Sequence, residues 1–218
     1  MTFEKIIKKA SIENHKRNRY ARIKVATKEN LVFKIISKNK VKPKKILEIG
    51  SSTGYLLECF RKNYNSECYG VDTSKSAISE GKKLFKKINL THGMFENSKL
   101  KNLKYDLIIC GFFLYHLDRE LIFHQFNLIY KKLNKNGLLL IVDFDPLFKH
   151  SNRDFNTKNL MSYKMSYDNF LVESGLFEVI YKFKYKTSTN DKSKFKSDTV
   201  SLTLFRKINF QKKYPENV

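Results

Sequence analysis

Apolar, strand-like segments alternate with helical patterns through the middle of the chain, and this alternation limits its fold more than any other feature. A run such as "GLLLIVDF" (137–144) is apolar at nearly every position, which is typical of a strand buried on both faces. Parallel strands need long crossover connections, and the intervening helical patterns can supply them. We therefore predict an α/β fold with a doubly wound, mostly parallel sheet. The predicted strands are 45–49, 66–72, 105–112 and 137–144, and the predicted helices between them are 73–88 and 119–134.

The flanking segments predict additions to this core. Residues 3–40 carry a loose helical pattern that indicates two N-terminal helices with a basic joint. Near the other end, 177–187 and 198–207 alternate apolar and polar residues, which predicts an antiparallel hairpin at one sheet edge. An irregular polar stretch to about residue 158 and a helix at 166–174 are expected before it. We predict one domain, 1–218, with a helical cap (1–42), a core (43–145), and a lid segment with C-terminal hairpin (146–218).

The formal net charge of +22 allows two interpretations. A strongly basic surface attracts polyanions such as RNA. However, the basic residues are overwhelmingly lysine, whereas the planar guanidinium of arginine is the favoured reader of phosphates and bases. Both a polyanion-binding face and compositional drift stay open.

Several classes of protein are disfavoured. No apolar run approaches the ~20 residues of a membrane-spanning helix, so no membrane span is predicted. The three cysteines form no C-x-x-C pair, and the N-terminus lacks the apolar run of a signal peptide, so we expect a reduced, cytoplasmic protein. The histidines have no metal-ligand spacing, and no metal site is predicted. A monomer or a homodimer is expected.

The first strand leads into a turn rich in glycine and hydroxyl residues, Gly50–Gly54, preceded by Glu48. In open α/β sheets such a turn lets a ligand approach bare backbone at the carboxyl ends of the strands. Asp72 ends the next strand, about where a residue that binds ribose hydroxyls is expected. The dinucleotide pattern G-x-G-x-x-G fails, because Ser52 and Tyr55 occupy its second and third glycine positions. A nicotinamide dinucleotide site is therefore disfavoured.

Residues 42–145, with an extension to 207, resemble class I S-adenosylmethionine-dependent methyltransferases of the small-molecule type. The family pattern E/D-x-G-x-G-x-G stands here as Glu48-Ile49-Gly50-Ser51-Ser52-Thr53-Gly54, with Ser52 in place of the middle glycine. Further landmarks follow in family order: "GVDTSKSAI" (70–78), "THGMFEN" (91–97, without its usual acidic residue) and "YDLIICGFFLYHL" (105–117). The resemblance implies a Rossmann-like, seven-stranded sheet and S-adenosylmethionine as cofactor.

The resemblance also implies roles for single residues on the cofactor side. The turn backbone would pack against the methionine portion, Asp72 would bind both ribose hydroxyls, and Glu48 would orient the turn or reach the ammonium group through water. For Asp72 a helix-capping role is the alternative, and for Met94 and Phe95 the alternative is core packing. The implied cofactor-binding residues are Glu48, Gly50, Ser51, Ser52, Gly54, Asp72, Thr73, Met94, Phe95, Cys110 and Gly111.

On the acceptor side, His116 is the candidate general base and Tyr115 a candidate hydrogen-bond partner of the acceptor. Each has an ordinary structural alternative. The segment 143–170 faintly resembles methyltransferases of sugar-nucleotide pathways, which suggests a small polar acceptor, with a sugar or sugar nucleotide as one class. Its candidate acceptor-binding residues are Asp145, His150, Arg153 and Tyr163, and a solvated lid loop is the alternative. The competing hypotheses are an RNA methyltransferase that docks phosphates on its basic N-terminal helices, and a non-catalytic nucleoside-binding module.

Overall fold

The computed structural model describes residues 16, 24–153, 160–186 and 199–209, so most of the predicted N-terminal cap lies outside the described residues. The strands are β1 Lys45–Ile49, β2 Glu67–Asp72, β3 Asn89–His92, β4 Tyr105–Gly111, β5 Leu133–Phe144, β6 His150–Arg153, β7 Met161–Lys164, β8 Phe177–Lys186 and β9 Thr199–Lys207. The helices are α1 Leu31–Lys38, α2 Tyr55–Tyr64, α3 Lys75–Leu84, α4 Ile122–Lys132 and α5 Asp168–Glu173.

The main sheet has seven strands in the order β3-β2-β1-β4-β5-β9-β8. Strands β1 to β5 are parallel, β9 pairs antiparallel with β5, and β8 closes the edge antiparallel to β9. This confirms the predicted Rossmann-like, mostly parallel sheet with an antiparallel edge hairpin. The strand order reverses between β1 and β4, which places a crevice at their carboxyl ends.

Both faces of the sheet are buried, as the apolar strands predict. Along β4, Leu107 and Ile109 belong to one apolar cluster, while Ile108 and Cys110 belong to the other. The first cluster packs beneath α1, α2 and α3, and the second beneath α4 and α5. Successive strand side chains point to opposite faces, so a continuous apolar run feeds both clusters.

The structure corrects several local predictions, and the helix predicted at 73–88 ends at Leu84. Helix α4 ends at Lys132 instead of 134, and β5 begins at Leu133 instead of Gly137, because Leu133 pairs with Tyr105 before the register shifts. The polar stretch after Pro146 is not wholly irregular: β6 and β7 pair as a two-stranded antiparallel sheet. A strand of four residues is too short to show a clear alternation of apolar and polar residues in the sequence. Such strands are recognised only from their hydrogen-bonded pairing in the structure.

Candidate active site

A cavity of about 330 Å³ opens at the carboxyl ends of β1, β2 and β4. Most of the residues implied by the resemblance line it, although they come from separate parts of the chain. Three of the implied cofactor-binding residues, Ser51, Gly54 and Cys110, are not among the lining residues. The implied residues that do line it are Glu48, Gly50, Ser52, Asp72, Thr73, Met94, Phe95, Gly111 and His116.

The turn after β1 is bonded to the end of β2 by its backbone amides. Gly50 N and Ser51 N both donate to the carbonyl of Val71, at 2.9 and 3.1 Å. Ser52 N donates to Asp72 Oδ2 at 2.8 Å. These bonds hold the turn against β2. At Gly50 the turn presents backbone without a side chain to the cavity.

The two glycines of this turn have different surroundings, although both have φ of +79°. A Cβ atom at Gly50 would meet protein only at ordinary distances of 3.7 Å, so it would project toward the cavity. A Cβ atom at Gly54 would lie 2.4 Å from Ile88 Cδ1 and 3.0 Å from Leu90 Cδ2. Gly50 therefore leaves room for a ligand, whereas Gly54 leaves room for the core.

Asp72 lies at the cavity wall and accepts two backbone hydrogen bonds. Besides Ser52 N, Ser74 N donates to Asp72 Oδ1 at 2.7 Å. Ser74 is itself the N-cap of α3, where its Oγ accepts from Ala77 N at 3.3 Å. A carboxylate oxygen accepts more than one hydrogen bond, so a cavity-lining Asp72 can hold the backbone and still accept from a ligand hydroxyl.

Residues after β3 and at the end of β4 lie at or behind another part of the cavity, and they differ in burial. Phe95 is buried within the cluster under α4, and Met94 is half-buried beside it. At the end of β4, Cys110 is fully buried, and this burial raises the pKa of its thiol, so the sulfur stays a neutral thiol. A Cβ atom at Gly111 would meet nothing within 4 Å, so this position opens onto the cavity.

The chain turns sharply after β4 and brings His116 to the cavity. Phe112 has φ of +49°, a left-handed conformation that is strained for a bulky residue. A 3₁₀ turn follows at Leu114–His116. The Tyr115 ring lies over the His116 ring with centroids 3.7 Å apart, and it does not itself line the cavity.

A buried carboxylate that the sequence analysis missed holds this turn. Asp143 Oδ2 accepts from Leu114 N at 3.0 Å and from Tyr115 N at 3.2 Å. Burial raises the pKa of Asp143 to about 7, although these backbone hydrogen bonds oppose the shift. The available signal was an acidic residue inside the apolar run "LLLIVDF", because a charge in a buried strand needs specific partners.

The four predicted acceptor residues do not line this cavity. Asp145 is buried between Lys182 and Lys184 at 2.8 and 2.9 Å. Burial opposes its ionisation, but these two ammonium groups hold the pKa of the Asp145 carboxyl below its usual value. The role of the four predicted residues in binding the acceptor stays a prediction.

The other three acceptor candidates lie on the small β6–β7 sheet. His150 Nδ1 lies 3.0 Å from the carbonyl oxygen of Phe148, and Arg153 is exposed. Tyr163 packs under the guanidinium of Arg119, 5.1 Å from its ring centroid. Cavity residues that the sequence analysis missed come from α1 and the edge hairpin: Asn30, Leu31, Val32, Tyr185 and Leu202.

Two further findings concern only the described part of the chain. Within these residues, none of the helices combines the length and the apolarity needed to cross a membrane. In the same ranges, His, Cys, Asp and Glu side chains form no group of three or more that could hold a metal ion.

Comparison with known proteins decides the family. A family model described as a methyltransferase domain matches residues 15–179. The chain belongs to the methyltransferase-domain family. It is therefore an S-adenosylmethionine-dependent enzyme of class I, as the sequence resemblance predicted. No curated protein matches the chain in a sequence search.

Solved structures share the fold of this methyltransferase at low sequence identity. The 1,6-didemethyltoxoflavin-N1-methyltransferase of Burkholderia thailandensis has a TM-score of 0.69 at 10% identity, covering 94% of this chain and 88% of that one. MccD protein has a TM-score of 0.65 at 16% identity, covering 83% and 97%. The N-methyltransferase NodS of Bradyrhizobium japonicum, in complex with S-adenosylhomocysteine, has a TM-score of 0.60 at 15% identity, covering 90% and 98%.

Proposed function

We propose that this methyltransferase transfers the methyl group of S-adenosylmethionine to an oxygen or nitrogen atom of a small molecule. The meeting of Gly50, Asp72 and His116 at one cavity carries the proposal. These residues come from the ends of β1 and β2 and from the turn after β4, where an open α/β sheet binds its ligands. A sugar or sugar nucleotide is the acceptor class that the lid sequence suggests.

The cavity fits the cofactor in two respects. Gly50 presents backbone without a side chain, and the open space where its Cβ atom would project can take the methionine portion. Asp72 lines the cavity and its two carboxylate oxygens can each accept more than one hydrogen bond, which suits the two ribose hydroxyls. When bound, S-adenosylmethionine supplies an electrophilic methyl carbon on a sulfonium.

His116 is the proposed general base on the acceptor side. An acceptor hydroxyl or protonated amine must lose its proton to attack a methyl carbon, and imidazole accepts protons near neutral pH. His116 is the cavity-lining histidine among the described residues, and the Tyr115 ring packs against it. In this proposal Tyr115 restricts the imidazole orientation instead of binding the acceptor.

The names of two structural neighbours are consistent with a nitrogen or small-molecule acceptor. One is an N-methyltransferase, and the other acts at N1 of 1,6-didemethyltoxoflavin, with which it was crystallised. The residues that line the cavity include the aromatic and aliphatic side chains of Phe112, Phe113, Leu202 and Tyr185. An acceptor with a polar reacting atom and an apolar ring or chain suits these side chains.

The test has two stages. Calorimetry with S-adenosylhomocysteine should give a single saturable site on the wild-type protein, and no binding would overturn the proposal. Tritium-labelled S-adenosylmethionine is then incubated separately with the low-mass fraction and the RNA fraction of a cell extract. Label transferred to a low-mass product supports the proposal.

Transfer to RNA would favour the alternative, an RNA methyltransferase. The observation behind it is the net charge of +22. Transfer to RNA should fall steeply as salt rises, because phosphate contacts release counterions. A small-molecule reaction should be nearly insensitive to salt over the same range.

A further inference from the structure

The turn that carries Tyr115 and His116 is held on its amide side by one buried carboxylate. Asp143 Oδ2 takes two consecutive amides, Leu114 N and Tyr115 N, and Oδ1 takes Phe144 N at 2.7 Å. The Asp143 side chain has no solvent exposure. Two consecutive N–H groups that converge on one oxygen form an anion-binding concavity, here filled by a side chain.

The carbonyl side of the same turn is held by a cation. The Arg119 guanidinium donates to the carbonyl of Leu114 and, at 2.7 Å, to that of Leu117. The charge of Arg119 also opposes the rise in the pKa of Asp143 that burial causes. Both ends of the 3₁₀ turn at Leu114–His116 are therefore bonded to charged side chains.

These bonds are not needed to pair the strands. Strands β4 and β5 already form a parallel ladder from Leu107 to Gly111, and Phe112 N extends it with a 2.7 Å bond to the carbonyl of Val142. The Asp143 side chain bonds the residues that follow this ladder. There the chain passes through the strained conformation of Phe112, which persists only when its surroundings determine it.

We propose that Asp143 is a positioning residue for methyl transfer, which holds the Leu114–His116 turn so that His116 faces the cavity. The inference rests on the proposed function, because it assigns Asp143 to the placement of the proposed base. Asp143 does not line the cavity and is not a catalytic residue.

The chain offers a matched control at the opposite end of the sheet. Asp106 Oδ2 also accepts two consecutive amides, Lys44 N at 3.0 Å and Lys45 N at 2.9 Å, and its Oδ1 accepts from Asn134 at 2.7 Å. Asp106 does not line the cavity. The two aspartates make similar bonds, and only Asp143 bonds the turn beside the proposed base.

The first experiment uses the full-length wild-type protein and nuclear magnetic resonance. As the pH is lowered through about 7, the Leu114 and Tyr115 amide signals should move together as Asp143 takes up a proton. Because an imidazole also takes up a proton near neutral pH, the side-chain carboxyl carbon of Asp143 is followed as well, and the two amide signals should share its midpoint. The other ionisable groups that face Asp143 are Cys110, Tyr167 and Arg119, and they should stay in one charge state over this range.

The second experiment compares Asp143→Asn with Asp106→Asn. An asparagine at 143 has one acceptor oxygen, so its NH₂ group must face either the two turn amides or Phe144 N, all of which are donors. In either orientation at least one of the three accepted bonds becomes a donor–donor contact, so the turn should shift. At a fixed amount of the low-mass extract fraction, Asp143→Asn should lower apparent kcat about 10-fold or more, with KM for S-adenosylmethionine within about twofold of wild type. Asp106→Asn should change neither, although its Tm should fall. Binding stoichiometry for S-adenosylhomocysteine corrects for inactive protein.

The outcomes separate this inference from the proposed function. If the wild type binds S-adenosylhomocysteine and Asp143→Asn retains wild-type kcat, the positioning role is wrong and the proposed function stands. If the wild type does not bind S-adenosylhomocysteine, the proposed function is wrong, and the positioning role with it. If Asp143→Asn does not fold, the wild-type pH series decides: Leu114 and Tyr115 amide signals that do not share the midpoint of the Asp143 carboxyl carbon would overturn the inference.

Discussion

The turn after β1 and the turn after β4 face the same cavity, and an aspartate from a neighbouring strand holds each of them. Asp72 at the end of β2 takes the amides of Ser52 and Ser74, and Asp143 near the end of β5 takes those of Leu114, Tyr115 and Phe144. Asp72 lines the cavity, whereas Asp143 is enclosed beneath its turn. One carboxylate can hold its turn and also meet a ligand, whereas the other can only hold its turn.

The largest effect is expected on the first turn. Gly50→Val should lower S-adenosylhomocysteine affinity by more than about 100-fold, roughly 2.7 kcal/mol, because the new side chain occupies ligand space. Gly54→Val is the matched control, since both glycines have φ of +79° and backbone strain is equal. It should mainly lower Tm, because its Cβ atom meets Ile88 and Leu90. Calorimetry and thermal denaturation check both, and equal affinities for the two variants would contradict the assignment.

On the second turn, the base itself can be removed. His116→Ala should lower turnover about 100-fold, the usual range for a lost general base, while S-adenosylhomocysteine affinity stays within about twofold. His124→Ala is the control, since His124 is exposed on α4 away from the cavity. Tritium transfer to the low-mass fraction measures turnover, and equal rates for the two variants would remove the base role.

Replacing the cavity-lining member of the aspartate pair sharpens the comparison. Asp72→Ala should weaken S-adenosylhomocysteine binding by about 1–3 kcal/mol, because a charged hydrogen-bond acceptor is lost. It should also lower the unfolding free energy, because Ser52 N and Ser74 N lose their partner. Asp106→Ala should affect only the unfolding free energy, and unchanged calorimetric affinity in Asp72→Ala would argue against ribose binding.

The buried aspartate, Asp143, should make the unfolding free energy depend on pH. The pKa of Asp143 is about 7 in the folded chain and near 3.8 when exposed, so the native state binds the proton more tightly. Its contribution to stability is fully present below about pH 4 and is lost as pH rises through about 7. The unfolding free energy should therefore fall with rising pH by about 1 kcal/mol per unit in this window, relative to Asp143→Asn. Urea titrations at several pH values measure it, and parallel curves for the two proteins would show that Asp143 does not titrate there.

The first turn was predictable because its signals are local. Glycines at 50 and 54 and an acid ending the next strand share one strand-helix-strand unit, so the sequence places them at one sheet edge. The missed residues depend on distant segments: Asp143 bonds amides 28 and 29 positions earlier, and Tyr185 reaches the cavity through the edge hairpin. No local pattern records such pairings.

The sequence by itself determined the mostly parallel sheet and the glycine-rich turn, because hydrophobic periodicity and turn chemistry act over a few residues, and its motifs carried the family resemblance. The tertiary structure alone decided that Gly50 faces the cavity while Gly54 faces the core. It also decided that β6 pairs with β7, and that the acid in "LLLIVDF" bonds the turn beside His116. These outcomes depend on contacts between residues that are far apart in the sequence. Burial strengthens such contacts, but they produce no periodic pattern in the amino-acid sequence.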